Sequence, residues 1–269
     1  MDHQYISRDE CRSIQLQLLD TIDRICKENS LQYYLAYGTL LGAVRHKGYI
    51  PWDDDIDVMM PRSDYETFCK LVKASLVELN DWMMLLDDES QGYFYPITKL
   101  VHKGTIAKAE DSLVEHGIWV DIFPVDNIPD NLNKRKRFIK NNQLLRAFII
   151  SMTTDFSCDT LGKKGLIKKI LNRIARIIGR ERVYSFYKSY MQKYSNESCE
   201  DVASLYGAYG AREAISKADL FIPADYEFEG KKYIGPKNAD LYLSKLYGNY
   251  MELPPVEKRT DHKLKAWYI

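Results

Sequence analysis

Four carboxylates stand within five residues at Asp53-Asp54-Asp55-Ile56-Asp57, and the chain runs from them directly into Val58-Met59-Met60. Charge at the mouth of a core strand is costly unless something positive meets it. In extended chain, successive side chains point to opposite faces, so Asp55 and Asp57 share one face and Asp54 points away. Asp53 shares that face if the strand reaches back toward Pro51. Oxygen donors of this kind suit Mg²⁺ or Mn²⁺, with phosphate oxygens and water completing an octahedron. Asp55 and Asp57 are therefore the first candidate metal ligands, and a solvated acidic turn is the competing reading.

A second strand, Ile118-Trp119-Val120-Asp121-Ile122-Phe123, carries one acid among apolar neighbours. Asp121 is the candidate third carboxylate, as a metal ligand or as general base for an attacking hydroxyl. Its alternative is a buried acid paired with a basic side chain. Upstream, Gly38-Thr39 ends an aromatic strand over 33–37 and starts a short helix to His46, a place that suits phosphate. Arg45, His46 and Lys47 follow, either neutralising a diphosphate, Arg45 best through its planar fork, or forming a solvated helix end.

The rest of the chain supplies a scaffold for these strands. A helix is predicted over 7–29, with Ser7 and Glu10 at capping-box spacing and Ile14, Leu18, Ile22 and Ile25 on one face. Another is predicted over 62–79, capped by Ser63, and a late one over 238–247. Short strands are expected at 82–86, 93–99, 105–109 and 118–123. The patterns over 131–152 and 162–194 are helical. Together these describe an α/β (α+β) fold: a mixed-sheet core over 1–130, a helical basic insertion over 131–200, and a C-terminal return over 201–269, all in one compact unit.

Lys163, Lys164, Lys168, Lys169, Arg173, Arg176, Arg180 and Arg182 interleave with Leu166, Ile167, Ile170, Leu171, Ile174, Ile177 and Ile178. This is an amphipathic basic helix, which either docks on anionic lipid or packs its apolar stripe on the core. Acidic and basic residues balance at 38 each, so a nucleic-acid module is not expected. Cys11, Cys26, Cys69, Cys158 and Cys199 lack metal-site spacing, as expected of reduced thiols in the cytoplasm. The N-terminus shows no signal-peptide pattern, and the apolar runs are too short to span a bilayer.

The block from Tyr37-Gly38-Thr39 through Gly42-Ala43-Val44-Arg45-His46-Lys47-Gly48 to Trp52-Asp53-Asp54-Asp55-Ile56-Asp57 resembles the LicD family of phosphocholine transferases, and also the fukutin-related proteins. Trp119 to Asp126 is similar to that family's second acidic strand. Phe228-Glu229-Gly230, Pro236-Lys237-Asn238, Leu246 to Met251, Leu253-Pro254-Pro255 and His262 are similar to its C-terminal block.

The resemblance implies a nucleotidyltransferase-like fold and transfer of phosphocholine from CDP-choline to a sugar hydroxyl of teichoic acid or another surface glycan, free or lipid-linked, at the inner face of the membrane. Under that reading Asp55, Asp57 and Asp121 are catalytic and hold Mg²⁺ or Mn²⁺. Gly38, Thr39, Arg45, His46 and Lys99 then serve the substrate, Lys99 at the phosphate or the leaving CMP. A quaternary ammonium needs an aromatic cage, for which Trp52 and Trp119 stand closest to the acids. Phosphoethanolamine, phosphoglycerol, phosphoribitol or nucleotidyl transfer would use the same core motifs, and a catalytically dead glycan- or nucleotide-binding scaffold is the remaining alternative.

Overall fold

The computed structural model of the chain describes residues 4–108, 112–156, 162–259 and 263–269. Cys158 and His262, residue 109 of the predicted strand 105–109, and the side chains of Lys163 and Lys164 lie outside that description. Among the described residues the structure is a mixed α/β fold in which one sheet carries both acidic strands.

Ser7 accepts a hydrogen bond from the Glu10 amide at 3.2 Å and starts helix α1, Arg8–Glu28. Its predicted apolar face, Ile14, Leu18, Ile22 and Ile25, is buried across the sheet. The aromatic strand is shorter than predicted: β1 is Tyr34–Leu35, and α2 spans Tyr37–His46. The helix begins two residues before Thr39 because the Leu40 amide already donates to the Ala36 carbonyl at 3.0 Å; the buried Tyr37 ring there lies edge-on to Phe123 and beside Tyr209.

Strand β2, Asp57–Pro61, follows, and its last residue caps α3, Arg62–Lys73. Ser63 therefore lies inside that helix and is not its cap. The helix ends at Lys73, six residues before the predicted end, where the chain turns through Ser75 at φ 51°. Arg62 grips Asp126 with two hydrogen bonds of 2.7 Å, tying α3 to the sheet.

Strands β3 (Met83–Leu86), β4 (Thr98–His102), β5 (Thr105–Lys108) and β6 (Trp119–Asn127) come next. β4 starts five residues later than predicted, after a bend at residues 96–97; Tyr93 and Ile97 of the preceding segment are buried outside the sheet. The sheet order is β1-β2-β6-β4-β3, with β2 and β6 parallel and the other pairs along this path antiparallel. β6 is thus central. Its far end also pairs with β7 (Asp201–Ala203), which in turn pairs with β8 (Ile215–Ser216).

Asn131 caps α4, Leu132–Thr153, through the amides of Asn133 and Lys134. The predicted helical run over 162–194 is broken at Gly179, whose φ of 100° separates α5 (Gly162–Ile178) from α6 (Arg180–Met191). These helices and residues 203–206 build a second apolar core beside the one under the sheet. After the short α7 (Lys217–Leu220), hairpin β9–β10 (Pro223–Phe228 and Lys231–Pro236) and α8 (Ala239–Tyr247, capped by Asn238) close over α2. The last strand, β11 (Lys265–Tyr268), pairs with β5. Among the described residues no helix is long and apolar enough to cross a membrane.

Candidate active site

Central placement of β6 beside β2 sets Asp121 and Asp57 directly opposite each other in the parallel register. The chain before Asp57 is extended but not yet a strand, so the four acids form the entry to β2 and not its body. Their alternation still holds. Asp53, Asp55 and Asp57 line a cleft of about 790 Å³, whereas Asp54 is buried and accepts from the Leu264 amide at 3.3 Å.

Ligand atoms of Asp53, Asp54 and Asp55 lie within 4.8 Å of one another. An all-carboxylate donor set at this spacing fits a hard divalent cation. Asp57 adjoins the cluster on the cleft wall. Burial pushes its carboxyl well above the usual carboxylate range, and the charges of Asp55, Asp121 and Asp53 push it further. A carboxyl crowded by like charges in this way favours a cation beside it.

Asp121 is buried, and both its oxygens are engaged. Lys99 Nζ donates to Oδ1, and Trp119 Nε1 donates to Oδ2 at 2.9 Å. Lys99 itself is buried, its ammonium 4.5 Å from the centre of the Trp119 ring. Lys99 thus lines the cleft as the partner of Asp121. Across from it, β4 and β6 bring Lys99 and Asp121 opposite each other in register.

The remaining predicted residues divide. Gly38 opens the first turn of α2 against the acids, and a Cβ added there would sit 2.5 Å from Asp53 Oδ2. Amides in such a first turn lack intrahelical acceptors, which favours an anion nearby. Thr39 is buried and does not line the cleft. Its hydroxyl accepts from the Asp57 amide at 2.8 Å and fixes the start of β2.

Arg45 lines the cleft while tying α2 to the C-terminal block, donating from Nη1 to the Tyr250 carbonyl at 2.6 Å and from Nε to His46 Nε2 at 2.9 Å. His46 lies off the cleft wall; burial and then the Arg45 charge lower its pKa. Trp52 lines the cleft with the Arg259 guanidinium 4.7 Å from its ring centre.

Other wall residues are not among the candidates read from the sequence. Arg146 reaches the cleft from α4, where nothing in a helical pattern marks it. Tyr206-Gly207-Ala208-Tyr209 forms one rim, and Gly207 is required there because a Cβ would meet Glu213 Oε1 at 2.1 Å and the Tyr37 hydroxyl at 2.4 Å. The Tyr-Gly pair repeated over 206–210 is the available signal. Tyr247 and Tyr250 form a second aromatic rim from the C-terminal block.

Comparison with known proteins adds to this geometry. Residues 30–151 match the family described as LicD/FKTN/FKRP, nucleotidyltransferase domain. That range contains Gly38, the acids of β2, Lys99 and Asp121. The chain is 27% identical over 266 residues to the lipopolysaccharide cholinephosphotransferase LicD of Haemophilus influenzae, covering 97% of each chain. Shorter stretches match uncharacterized proteins of Rickettsia typhi (42% over 59 residues, 22% of this chain and 19% of the relative) and Rickettsia prowazekii (44% over 48 residues, 18% of each).

Proposed function

The chain belongs to the LicD family of phosphotransferases, and we propose that it transfers phosphocholine from CDP-choline to a sugar hydroxyl of a surface-glycan precursor, teichoic acid or a similar polymer, releasing CMP. The observation that carries this reading is the convergence of Asp53, Asp55, Asp57 and Asp121 on one cleft, facing the first turn of α2 and rimmed by tyrosines. We assign the reaction to the inner face of the cell membrane, where the glycan is free or lipid-linked.

Asp55 and Asp57 are the assigned holders of Mg²⁺ or Mn²⁺, with Asp53 beside them. A divalent ion there supplies charge neutralisation for the diphosphate and its developing negative charge. The chain's own residues do the rest. The first-turn amides of α2 and the positive charge of Arg45 hold phosphate oxygens near the acids. Lys99 and Trp119 fix the orientation of the Asp121 carboxylate, which accepts the proton as the sugar oxygen bonds to the choline-side phosphorus. The bond from that phosphorus to the bridging oxygen breaks, and the electron pair leaves with CMP. A quaternary ammonium has no N–H to donate, so aromatic faces must hold it. Trp52 and Trp119 already carry Arg259 and Lys99 on their rings, so in this reading the choline methyls meet the tyrosine rims of the cleft, of which we favour Tyr247 and Tyr250.

The test is CMP release from CDP-choline with Mg²⁺ and a glycan acceptor, wild type against Asp55→Ala and Asp57→Ala. Metal-dependent release that both substitutions reduce by at least about 100-fold supports the reading, a loss typical of removed transition-state electrostatics. Release from CDP-ethanolamine or another CDP-alcohol, but not from CDP-choline, keeps the reaction type and overturns the choline assignment.

A further inference from the structure

Helix α5 is built inside out for a soluble protein. The side it turns to α4 and α6 is small or polar: Gly165, Asn172 and Ala175 are buried, and Asn172 Nδ2 donates to the Ser151 carbonyl. Its large aliphatic side chains face outward. Leu166, Ile167, Ile170 and Ile177 are 65%, 61%, 54% and 80% exposed, and Ile174 and Ile178 are also exposed. The periodicity that also allowed an apolar stripe packed on the core is thus resolved the other way. At 100° per residue these six form one continuous arc. A contiguous patch of this kind on a protein surface marks a site of contact.

Charge identifies the contact. Lys169, Arg173 and Arg176 are exposed and occupy the arc next to the apolar one, and the segment from Gly162 to Ile178 contains no Asp or Glu. A second copy of the chain would bring two such basic arcs together with no acid on either helix to offset them. An anionic bilayer offers acyl chains to the isoleucines and phosphate headgroups to the flanking cations.

We propose that α5 is an interfacial helix that lies on a membrane of anionic lipid, its Leu166–Ile170–Ile177 face inserted at the headgroup boundary. The inference does not depend on which group the active site transfers. Binding of the full chain to vesicles of phosphatidylcholine, with and without phosphatidylglycerol, tests it by co-sedimentation. The expected result is binding that requires phosphatidylglycerol and weakens with salt. Each of Lys169→Gln, Arg173→Gln and Arg176→Gln should lower the partition coefficient about fivefold, and Ile170→Gln with Ile177→Gln about tenfold or more.

All of these positions are exposed, so the variants should keep the wild-type circular dichroism and melting temperature. Failure to bind anionic vesicles at low salt, or unchanged binding by the isoleucine variant, overturns the proposal. So does a wild-type dimer in sedimentation velocity that the isoleucine variant converts to monomer, which would assign the face to a second copy.

Discussion

Asp57 sits where three other carboxylates repel it, and burial adds to the cost of its charge. Nothing in folding alone favours such an arrangement, since like charges at close range destabilise the native state. In EDTA the Asp57→Asn protein should therefore melt about 2–8 °C higher than wild type, from about 1–2 kcal/mol of relieved repulsion at about 2–4 °C per kcal/mol. Mn²⁺ or Mg²⁺ should raise the melting temperature of the wild type and do little for the variant. A variant that melts lower than wild type, with the metal shift intact, would remove Asp57 from the cation site. Lys99 shows the opposite balance: it is buried beside the ring of Trp119, and its salt bridge to Asp121 offsets the desolvation of both partners.

Helix α2 and strand β2 meet at one glycine. Gly38 lies where any Cβ would press on Asp53 Oδ2, the far end of a side chain that is able to swing away. Gly38→Ala should leave thermal stability within about 1 kcal/mol, because alanine suits a helix and only a carboxylate has to move. Activity should fall about 10- to 100-fold through displacement of Asp53, and the apparent Mg²⁺ requirement should rise with it. Full activity in this variant would show that the position of Asp53 does not matter. Gly42 makes a control on the same helix: its added Cβ would sit 2.4 Å from the Gly48 carbonyl, and backbone cannot swing away. There the loss should appear in stability.

Across the whole molecule, Glu213 joins the parts that enclose the cleft. Its carboxylate accepts from the Tyr209 amide at 3.2 Å and from the Tyr37 hydroxyl at 3.3 Å, connecting the 206–209 rim to α2. Burial raises its carboxyl to about 8 from the usual 4.5, an effect that these hydrogen bonds only partly oppose. Below about pH 4.5 the group is protonated in both folded and unfolded chains and costs nothing. As pH rises toward 8 the unfolded chain ionises first, so native stability falls, and above 8 the loss levels off. The neutral Glu213→Gln variant should escape this. Its advantage over wild type should grow from pH 5 to pH 8.5 and reach on the order of 3–5 kcal/mol, read from melting curves. A gap that does not change with pH would mean that Glu213 is already ionised in the fold at low pH.

Local patterns in the chain were enough to specify the long helices, the two acidic strands and the absence of Asp54 from the cleft wall that Asp53, Asp55 and Asp57 line. Each follows from periodicity, capping or alternation within a few residues: Ser7 with Glu10 at α1, the apolar face of Ile14, Leu18, Ile22 and Ile25, the alternating Asp53, Asp55 and Asp57. Contacts between distant segments set the rest. The Tyr37 ring is buried because Phe123 and Tyr209 pack on it, and Lys99 is buried because Asp121 lies opposite it in the register. Arg146, Gly207 and Tyr250 come to the cleft only through packing of the later helices and loops. The apolar arc of α5 has a clear period, but a period says only that one face differs from the other. Which face is covered depends on what the neighbouring helices offer, and here α4 and α6 cover Gly165, Asn172 and Ala175 instead.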